Sequence, residues 1–548
     1  MSDMLDLFEG NIIKHHFSEK GFGKIVFDIK DNFNYAFDVI DVIADRYPDK
    51  KALIWISENG EEKIFTFADI RKESSKIAHY LKSFGIKKGD KVLLVLRRNY
   101  QWWLIMIALC RLGAIAIPAT EQLKEHDFIW RINAAKIKAM IITASSDVID
   151  EADRSRKKCA VDLLISVNGS RVGWQNFEKY CSFPGVFSRN DNFYELKKDD
   201  LMLMYFTSGT TAYPKIVAHT QTYPLGHYFT AKYWQGVEKN GVHFTLAETG
   251  WAKAGWGKIF GQWLCGTCVF VYDFRRFKGD EILSLIEKYK ITTFCAPATV
   301  FRMFEKEDIT KYNFNSLKRL TSAGEPLDSK TFNIIKEKFG LSINEGFGQS
   351  ETPVLIGNFV YVKTKKDSMG VPNPLFDIVL LDDEGKLISE PFKTGEICVN
   401  ISKEHPFGLL KEYYGDEEQT ANAFLNGYYH TGDTAYFDDC GFYFYKGRVD
   451  DVIKSSGYRI SPHEIETVLL QHPSVYECFV SGVPDEIRGK IIKATIVLKD
   501  GYSPSDDLKK SISVFMKSKT APYKHPRIIE FVDALPRTFS GKVKRNSK

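Results

Sequence analysis

The sequence lacks the marks of a secreted, membrane-spanning or nucleic-acid-binding chain. Its most lipid-like stretch, residues 102–117, contains Arg111 and Gly113 and falls short of the ~20 residues a spanning helix needs. Cysteine is sparse and unframed: the nine form an odd set. The one close pair, Cys265 and Cys268, has neither a second pair nor neighbouring histidines. Buried free thiols in a reducing compartment are therefore expected there, not a zinc or redox centre. An excess of either charge is also missing. Seventy-five basic against seventy acidic residues leave +5, scattered along the chain. That gives no reason to expect nucleic acid or an acidic membrane as partner. The acidic start MSDMLDLFEGN resembles neither a secretory signal nor a transit peptide. Repeats and low-complexity tracts are absent, and the expectation is a soluble, cytoplasmic enzyme without integral membrane association.

What is present is a long, well-mixed globular chain. At 548 residues with 44% hydrophobic content, it should form several folding units around a large core. From Asp41 to Thr143 short apolar runs alternate with helical stretches: residues 91–96, then 102–112, then 114–117, later 139–143. That order predicts parallel βαβ units, and the same texture resumes from Leu201 to about Tyr361. Residues 377–399 and 428–445 alternate in short runs between Gly and Asp turns, which predicts antiparallel sheet or a small distorted barrel. The last hundred residues predict an α+β unit. Ser461-Pro462-His463-Glu464 carries the signals of a capped helix start: serine at the cap, proline next and glutamate three residues on. Ile465, Val468 and Leu469 supply its apolar face, and Pro473 ends it. Strands are expected at 476–483, 491–498 and 527–532, with a helix at 506–517. The fold class is thus α/β: a large N-terminal domain of parallel sheets with a small distorted barrel, then a small α+β C-terminal domain, divided near Asp450.

After the apolar run 201–206 comes Thr207-Ser208-Gly209-Thr210-Thr211-Ala212-Tyr213-Pro214-Lys215. A loop so rich in small hydroxyl residues and glycine can turn backbone N–H groups and hydroxyls toward a polyphosphate, with the lysine adding a positive charge. It is not a Walker A loop, because no glycine precedes Lys215 and the spacing differs. The full string YFTSGTTAYPKIVAH, Tyr205 to His219, resembles the signature loop of the adenylate-forming superfamily, which includes acyl-CoA synthetases, luciferases and peptide-synthetase adenylation domains. Ala212 departs from the glycine usual there, which matters if that backbone needs positive φ.

Further motifs follow in that family's order. Ala323-Gly324-Glu325-Pro326 resembles the segment lining the adenine. Glu345-Gly346-Phe347-Gly348-Gln349-Ser350-Glu351 resembles the next signature, in which Glu351, with Thr210, is implied to hold Mg2+. Tyr429-His430-Thr431-Gly432-Asp433 resembles the motif whose aspartate binds the ribose hydroxyls. Arg448 is implied near ribose or phosphate, and Asp450 at an interdomain hinge. The terminal Leu535 to Lys542 motif implies that Lys542 is the catalytic lysine. The resemblance divides the chain into an adenylation domain, 1–449, and a mobile C-terminal domain, 450–548.

The implied chemistry is attack of a carboxylate on the α-phosphate of ATP. Lys542 bridges the two anions, Arg448 assists, and Mg2+ and Lys215 neutralise the departing pyrophosphate. No general base is needed. Thioester formation with coenzyme A then requires Lys542 to withdraw by rotation about Asp450. Ser456, Gly457, Tyr458, Arg459, Arg488 and Lys517 are implied to contact CoA.

The acid is expected to enter among Trp251, Lys253, Trp256 and Gly348. Glycine at 348 implies room beyond acetate, the two tryptophans argue against a long chain, and a buried Lys253 would shorten the cavity. The nearest resemblance is to medium-chain acyl-CoA synthetases. Partners are small molecules, with a homodimer as an open assembly state. Three alternatives stay open. An amino-acid adenylating enzyme loading a carrier protein is weakened because no carrier segment follows Lys542 and no acidic partner for an ammonium is evident between Lys253 and Leu264. Luciferase-like oxidative chemistry is a second. A non-catalytic nucleotide sensor should have lost Lys542, Asp433 or Glu351.

Overall fold

The computed structural model describes residues 8, 12–15, 25–192, 195–207, 214–449, 451, 453–455, 458–485, 489–520, 524–537 and 543, with backbone alone at 14–15, 454–455, 458–459 and 489. The chain divides into two compact units, one of residues 1–377 and 401–424, the other of residues 378–400 and 425–548.

The first unit is built on two large mixed sheets. In one, the strand Lys91–Val95 lies parallel between Ile115–Pro118 and Ala139–Thr143. All five residues of Ala139–Thr143 are buried, the unbroken apolar pattern of a strand covered on both faces. The connection to Ile115–Pro118 is the helix Gln101–Leu112, whose twelve residues are all buried. Arg111, which interrupts the lipid-like run, is 0% exposed and forms a two-pronged pair with Asp41 at 2.9 and 2.6 Å while its Nε donates to Ser74. This stretch is a core helix with its one charge matched. Gly113, at φ +67°, closes it in the left-handed conformation that glycine tolerates. Among the described residues no helix is long and apolar enough to cross a membrane.

The second sheet of this unit runs parallel through Lys51–Ser57, Cys268–Asp273, Val242–Thr245, Thr293–Cys295, Arg319–Ala323 and Ile343–Phe347, with short antiparallel strands at its edges. Cys265 and Cys268 are buried free thiols, each with its pKa pushed up to about 12 by burial.

The second unit contains the antiparallel sheet Ile378–Leu381, Gly395–Asn400, Tyr428–Phe437 and Tyr443–Arg448. It also contains the three-stranded sheet Val475–Asp485, Gly489–Leu498 and Ile528–Phe531, with helices Pro462–Leu469 and Asp506–Lys519. Ile465, Leu469, Val480, Ile496, Ile512 and Met516 pack there as a separate core.

One local expectation is corrected. The helix does begin at Pro462, but Ser461 makes no side-chain cap. Its hydroxyl donates to the Lys446 carbonyl, and Glu464 accepts from Lys446 Nζ at 2.6 Å and Lys524 Nζ at 2.7 Å. Both cap groups find tertiary partners that outcompete the local ones. The helix closes at Leu469, so Pro473 lies beyond its end.

Candidate functional site

Leu201–Thr207 and Lys215–Thr220 form an antiparallel pair whose last register partners are Thr207 and Lys215. The pairing sets the two ends of the hydroxyl-rich segment opposite each other. Ser208, Gly209, Thr210, Thr211 and Ala212 lie outside the described residues. On the far side of the second strand, Val217 pairs with Tyr413. The Lys215 ammonium sits 5.1 Å from the Tyr413 ring centroid, a cation–π distance. The Tyr413 hydroxyl donates to Glu351 Oε1 at 3.0 Å. Sheet pairing and one aromatic ring thus join the basic end of the loop to the acidic end of the 345–351 motif.

A second tie comes from His219, whose Nε2 is 2.8 Å from the Ser350 carbonyl oxygen. Complete burial pushes this imidazole down to about 3, so the ring is neutral and acts as a hydrogen-bonding strut. The sequence did not point to Tyr413, and it included His219 only as the last residue of the loop string, with no role. Tyr413 lies sixty-two residues from its glutamate partner, and only the strand pairing could have exposed it.

The two expected adenine-lining segments leave adjacent parallel strands, with Ser322 opposite Glu345 and Ala323 opposite Gly346. Gly324 follows at φ +98° with open space where a Cβ would stand. Glu325 accepts from the Thr299 N–H at 2.6 Å and hydroxyl at 2.7 Å, while the Pro326 carbonyl accepts from Arg302. In this structure both residues brace the turn. Glu345 accepts from the Leu327 N–H at 3.2 Å. Burial is the main cause that pushes its carboxyl up to about 8, and Asp367 and Asp328 add to it. At Gly346 a Cβ would stand 2.6 Å from the Trp234 indole, so that position admits no side chain.

Gly348 faces Trp256. A Cβ there would lie 2.4 Å from Trp256 Cη2 and 2.3 Å from the Pro353 carbonyl oxygen. The space spared by glycine is therefore filled by the indole, and the expectation that Gly348 by itself leaves room is corrected. Phe347 and Gln349 are half-buried on either side. Trp251 is half-buried ahead of the helix Ala252–Gly257. Lys253, expected to be buried, is half-buried, and its ammonium donates to the Ala323 carbonyl at 2.8 Å. Lys258, by contrast, is buried at 1% exposed, its pKa driven well down by burial and then by Arg98, against the pull of Asp273.

In the second unit Asp433 is buried on Tyr428–Phe437, directly opposite Arg448. Its Oδ2 is 3.0 Å from Arg448 Nη1, and its Oδ1 accepts from the Tyr445 hydroxyl at 2.9 Å. Arg448 also donates to the Thr431 carbonyl at 2.9 Å. Lys517 is exposed near the end of Asp506–Lys519, and Tyr458 and Arg459 belong to the strand Tyr458–Ile460. Asp450, Ser456, Gly457, Arg488 and Lys542 lie outside the described residues.

The chain matches the AMP-binding enzyme family over residues 40–414 and the AMP-binding enzyme C-terminal domain over residues 464–542. It is 39% identical to acyl-coenzyme A synthetase ACSM3, mitochondrial, of Homo sapiens, across 94% of this chain and 89% of that protein. With 4-hydroxybutyrate–CoA ligase 1 of Metallosphaera sedula it shares 40% identity over the same 94% and 89%. An anthranilate CoA ligase solved with anthranoyl-AMP is similar in fold, with a TM-score of 0.84 at 26% identity, covering 94% of this chain and 96% of that one. A benzoate CoA ligase from Burkholderia xenovorans shares the fold with a TM-score of 0.80 at 24% identity, over 93% and 99%. The parallel sheets, the hairpin-borne loop and these matches agree: the chain belongs to the AMP-binding enzyme family of adenylate-forming enzymes.

Proposed function

We propose that this enzyme is an ATP-dependent acid–thiol ligase of the medium-chain acyl-CoA synthetase type. It joins a short-to-medium carboxylic acid, straight or branched, to coenzyme A and releases AMP and pyrophosphate. The observation that carries the reading is the connection of Lys215 through Tyr413 to Glu351 beside the hydroxyl-rich loop. A cation for the departing phosphates and a carboxylate for their metal ion are brought together. The named CoA ligases above support the choice of acceptor.

In the first half-reaction an oxygen of the acid attacks the α-phosphorus of MgATP, and the bond to pyrophosphate breaks with its electron pair leaving on pyrophosphate. Thr207, Ser208, Gly209, Thr210 and Thr211 are assigned to the phosphates. Lys215 offsets the charge of the leaving group, and Lys542 is assigned to bridge the carboxylate and the α-phosphate. Magnesium arrives with the nucleotide as part of the substrate. Glu351 and Thr210 would hold it, and the fit is chemical, since a hard cation prefers the oxygen donors both residues offer. Gly324 to Pro326 and Glu345 to Ser350 are assigned to the adenine side, and Asp433 and Arg448 to the ribose. In the second half-reaction the CoA sulfur attacks the acyl carbon, the C–O bond to AMP breaks, and the thiol proton passes to solvent. Ser456, Gly457, Tyr458, Arg459, Arg488 and Lys517 are assigned to CoA. A cytoplasmic location belongs to the proposal, supported by nine free cysteines; subcellular fractionation checks it.

The deciding experiment is ATP–pyrophosphate exchange over a panel of straight, branched and aromatic acids, repeated as AMP release with CoA present. Exchange with short-to-medium acids together with CoA-dependent AMP release is expected. Exchange without CoA-dependent turnover would indicate an enzyme that loads a carrier protein, and absence of both would indicate a nucleotide sensor.

A further inference from the structure

On the antiparallel sheet of the second unit, three side chains of different chemistry converge on one point. Cys398 on Gly395–Asn400 is the direct cross-strand partner of His430 on Tyr428–Phe437. Its Sγ lies 3.6 Å from His430 Nδ1. Glu396, two residues earlier on the same strand, brings Oε2 to 2.9 Å from the same nitrogen. The ligand atoms of all three lie within 4.8 Å of one another. Residues two apart on a strand share a face, so Glu396 and Cys398 both reach the one imidazole, and the ladder to the neighbouring strand is irregular between them.

We propose that Glu396, Cys398 and His430 form a site for a single divalent transition-metal ion of the zinc class. The nitrogen-to-sulfur spacing is that of a coordination shell. With metal–nitrogen bonds of ~2.0 Å and metal–sulfur bonds of ~2.3 Å, tetrahedral geometry separates nitrogen from sulfur by ~3.6 Å and nitrogen from a carboxylate oxygen by ~3.3 Å. The first distance is already present. The second requires only a shift of a few tenths of an ångström in the Glu396 carboxylate, as the ion takes the place of the hydrogen-bond contact between His430 and Glu396. The donors are also held from behind. Glu396 Oε1 accepts from the Gly432 N–H at 2.8 Å, the imidazole hydrogen-bonds the Leu425 backbone, and the Cys398 sulfur meets the Thr431 backbone. Such outer contacts fix ligand orientation and metal affinity.

A mixed nitrogen, sulfur and oxygen set selects zinc, cobalt or a similar ion, and it does not suit magnesium, which wants oxygen ligands. Cys398 is 0% exposed, whereas the Glu396 and His430 side chains keep 21% and 23%. The ion would therefore enter from the carboxylate side and keep a position for water. It would clip two neighbouring strands together immediately ahead of Asp433.

The test is cobalt titration of the full-length, chelator-treated protein. The expected result is saturation near one equivalent, a near-ultraviolet thiolate-to-cobalt charge-transfer band, and loss of that band on adding zinc. Cys398→Ser should abolish the band, while His430→Asn and Glu396→Gln should weaken binding by roughly 10- to 100-fold or more. Melting curves of the metal-free variants establish that each folds. A protein that takes up no cobalt, or one whose band survives unchanged in Cys398→Ser, overturns the proposal and leaves the trio as a hydrogen-bonded ion pair. Should Cys398→Ser not fold, unchanged cobalt affinity in the other two variants overturns it equally.

Discussion

Asp433 is gripped from both sides, Arg448 taking one carboxylate oxygen at 3.0 Å and Tyr445 the other at 2.9 Å. A ribose diol binding this carboxylate would exchange places with existing donors and not meet a bare charge. Asp433→Ala should raise the KM for ATP by roughly 10- to 100-fold, the worth of hydrogen bonds to a charged group. Tyr445→Phe should have a smaller effect, because Arg448 still aligns the carboxylate. Steady-state kinetics with ATP varied checks both; equal effects from the two variants would contradict the assignment.

Tyr413 links two charges that otherwise share no sequence neighbourhood. Tyr413→Phe keeps the ring beneath Lys215 but deletes the hydrogen bond to Glu351. The concentration of Mg2+ needed for half-maximal adenylation should rise by roughly tenfold, with little change in the KM for the acid. A magnesium titration of pyrophosphate exchange measures it.

The size of the acid pocket should turn on Trp256, because its indole occupies the space at Gly348. Trp256→Leu is expected to move kcat/KM toward longer acids by roughly tenfold or more per methylene accommodated. Gly348→Ala forces carbon against the Pro353 backbone and should lower the melting temperature and favour shorter acids. Lys253→Leu deletes the ammonium that donates to the Ala323 carbonyl and should shift the profile toward longer acids; an unchanged profile would remove Lys253 from the pocket. Chain-length profiles of the three variants separate these effects.

Glu345 makes stability depend on pH in an unusual direction. Its folded carboxyl titrates at about 8 against an ordinary 4.5, so the folded state holds a proton that the unfolded chain releases. The resulting stabilisation is complete below the lower value and is lost as pH rises through the upper one. Glu345→Gln should flatten the decline, giving a variant relatively more heat-stable than the parent on the alkaline side. Melting temperatures at a series of pH values across this window test it.

Asp450 is the proposed hinge. Asp450→Pro, which fixes φ, should preserve pyrophosphate exchange and impair thioester formation. Single-turnover assays of each half-reaction check this, and equal loss of both rates would speak against the hinge.

Much of the first unit could be read directly. Residues 139–143 form a strand as expected, since β-branched and apolar residues buried on both faces leave no other pattern. The helix over 102–112 was equally visible, although the purpose of Arg111 was not, because Asp41 is seventy residues away. The two-residue strands Ile356–Gly357, Val371–Pro372 and Glu412–Tyr413 were hidden: pieces so short carry no periodicity and exist only because a sheet edge receives them. The motifs named the loop, the glutamate and the aspartate. They did not name Tyr413, and they included His219 only as the last residue of the loop string, without the role that long-range contact gives it; they also suggested open space at Gly348 where an indole sits.

The antiparallel pairing of Thr207 with Lys215 carries a final consequence. In a strand pair the side-chain repeat is two, so a slip of one residue would send Lys215 to the opposite face. The register therefore fixes the face of Lys215, and on the proposed function substitutions between the two strand ends, Ala212 included, should change phosphate handling while the strand pairing keeps the lysine on its face. Two requirements thus fall on different parts of the sequence, the strand register on residues 201–207 and 215–220 and the proposed phosphate chemistry on the residues between them.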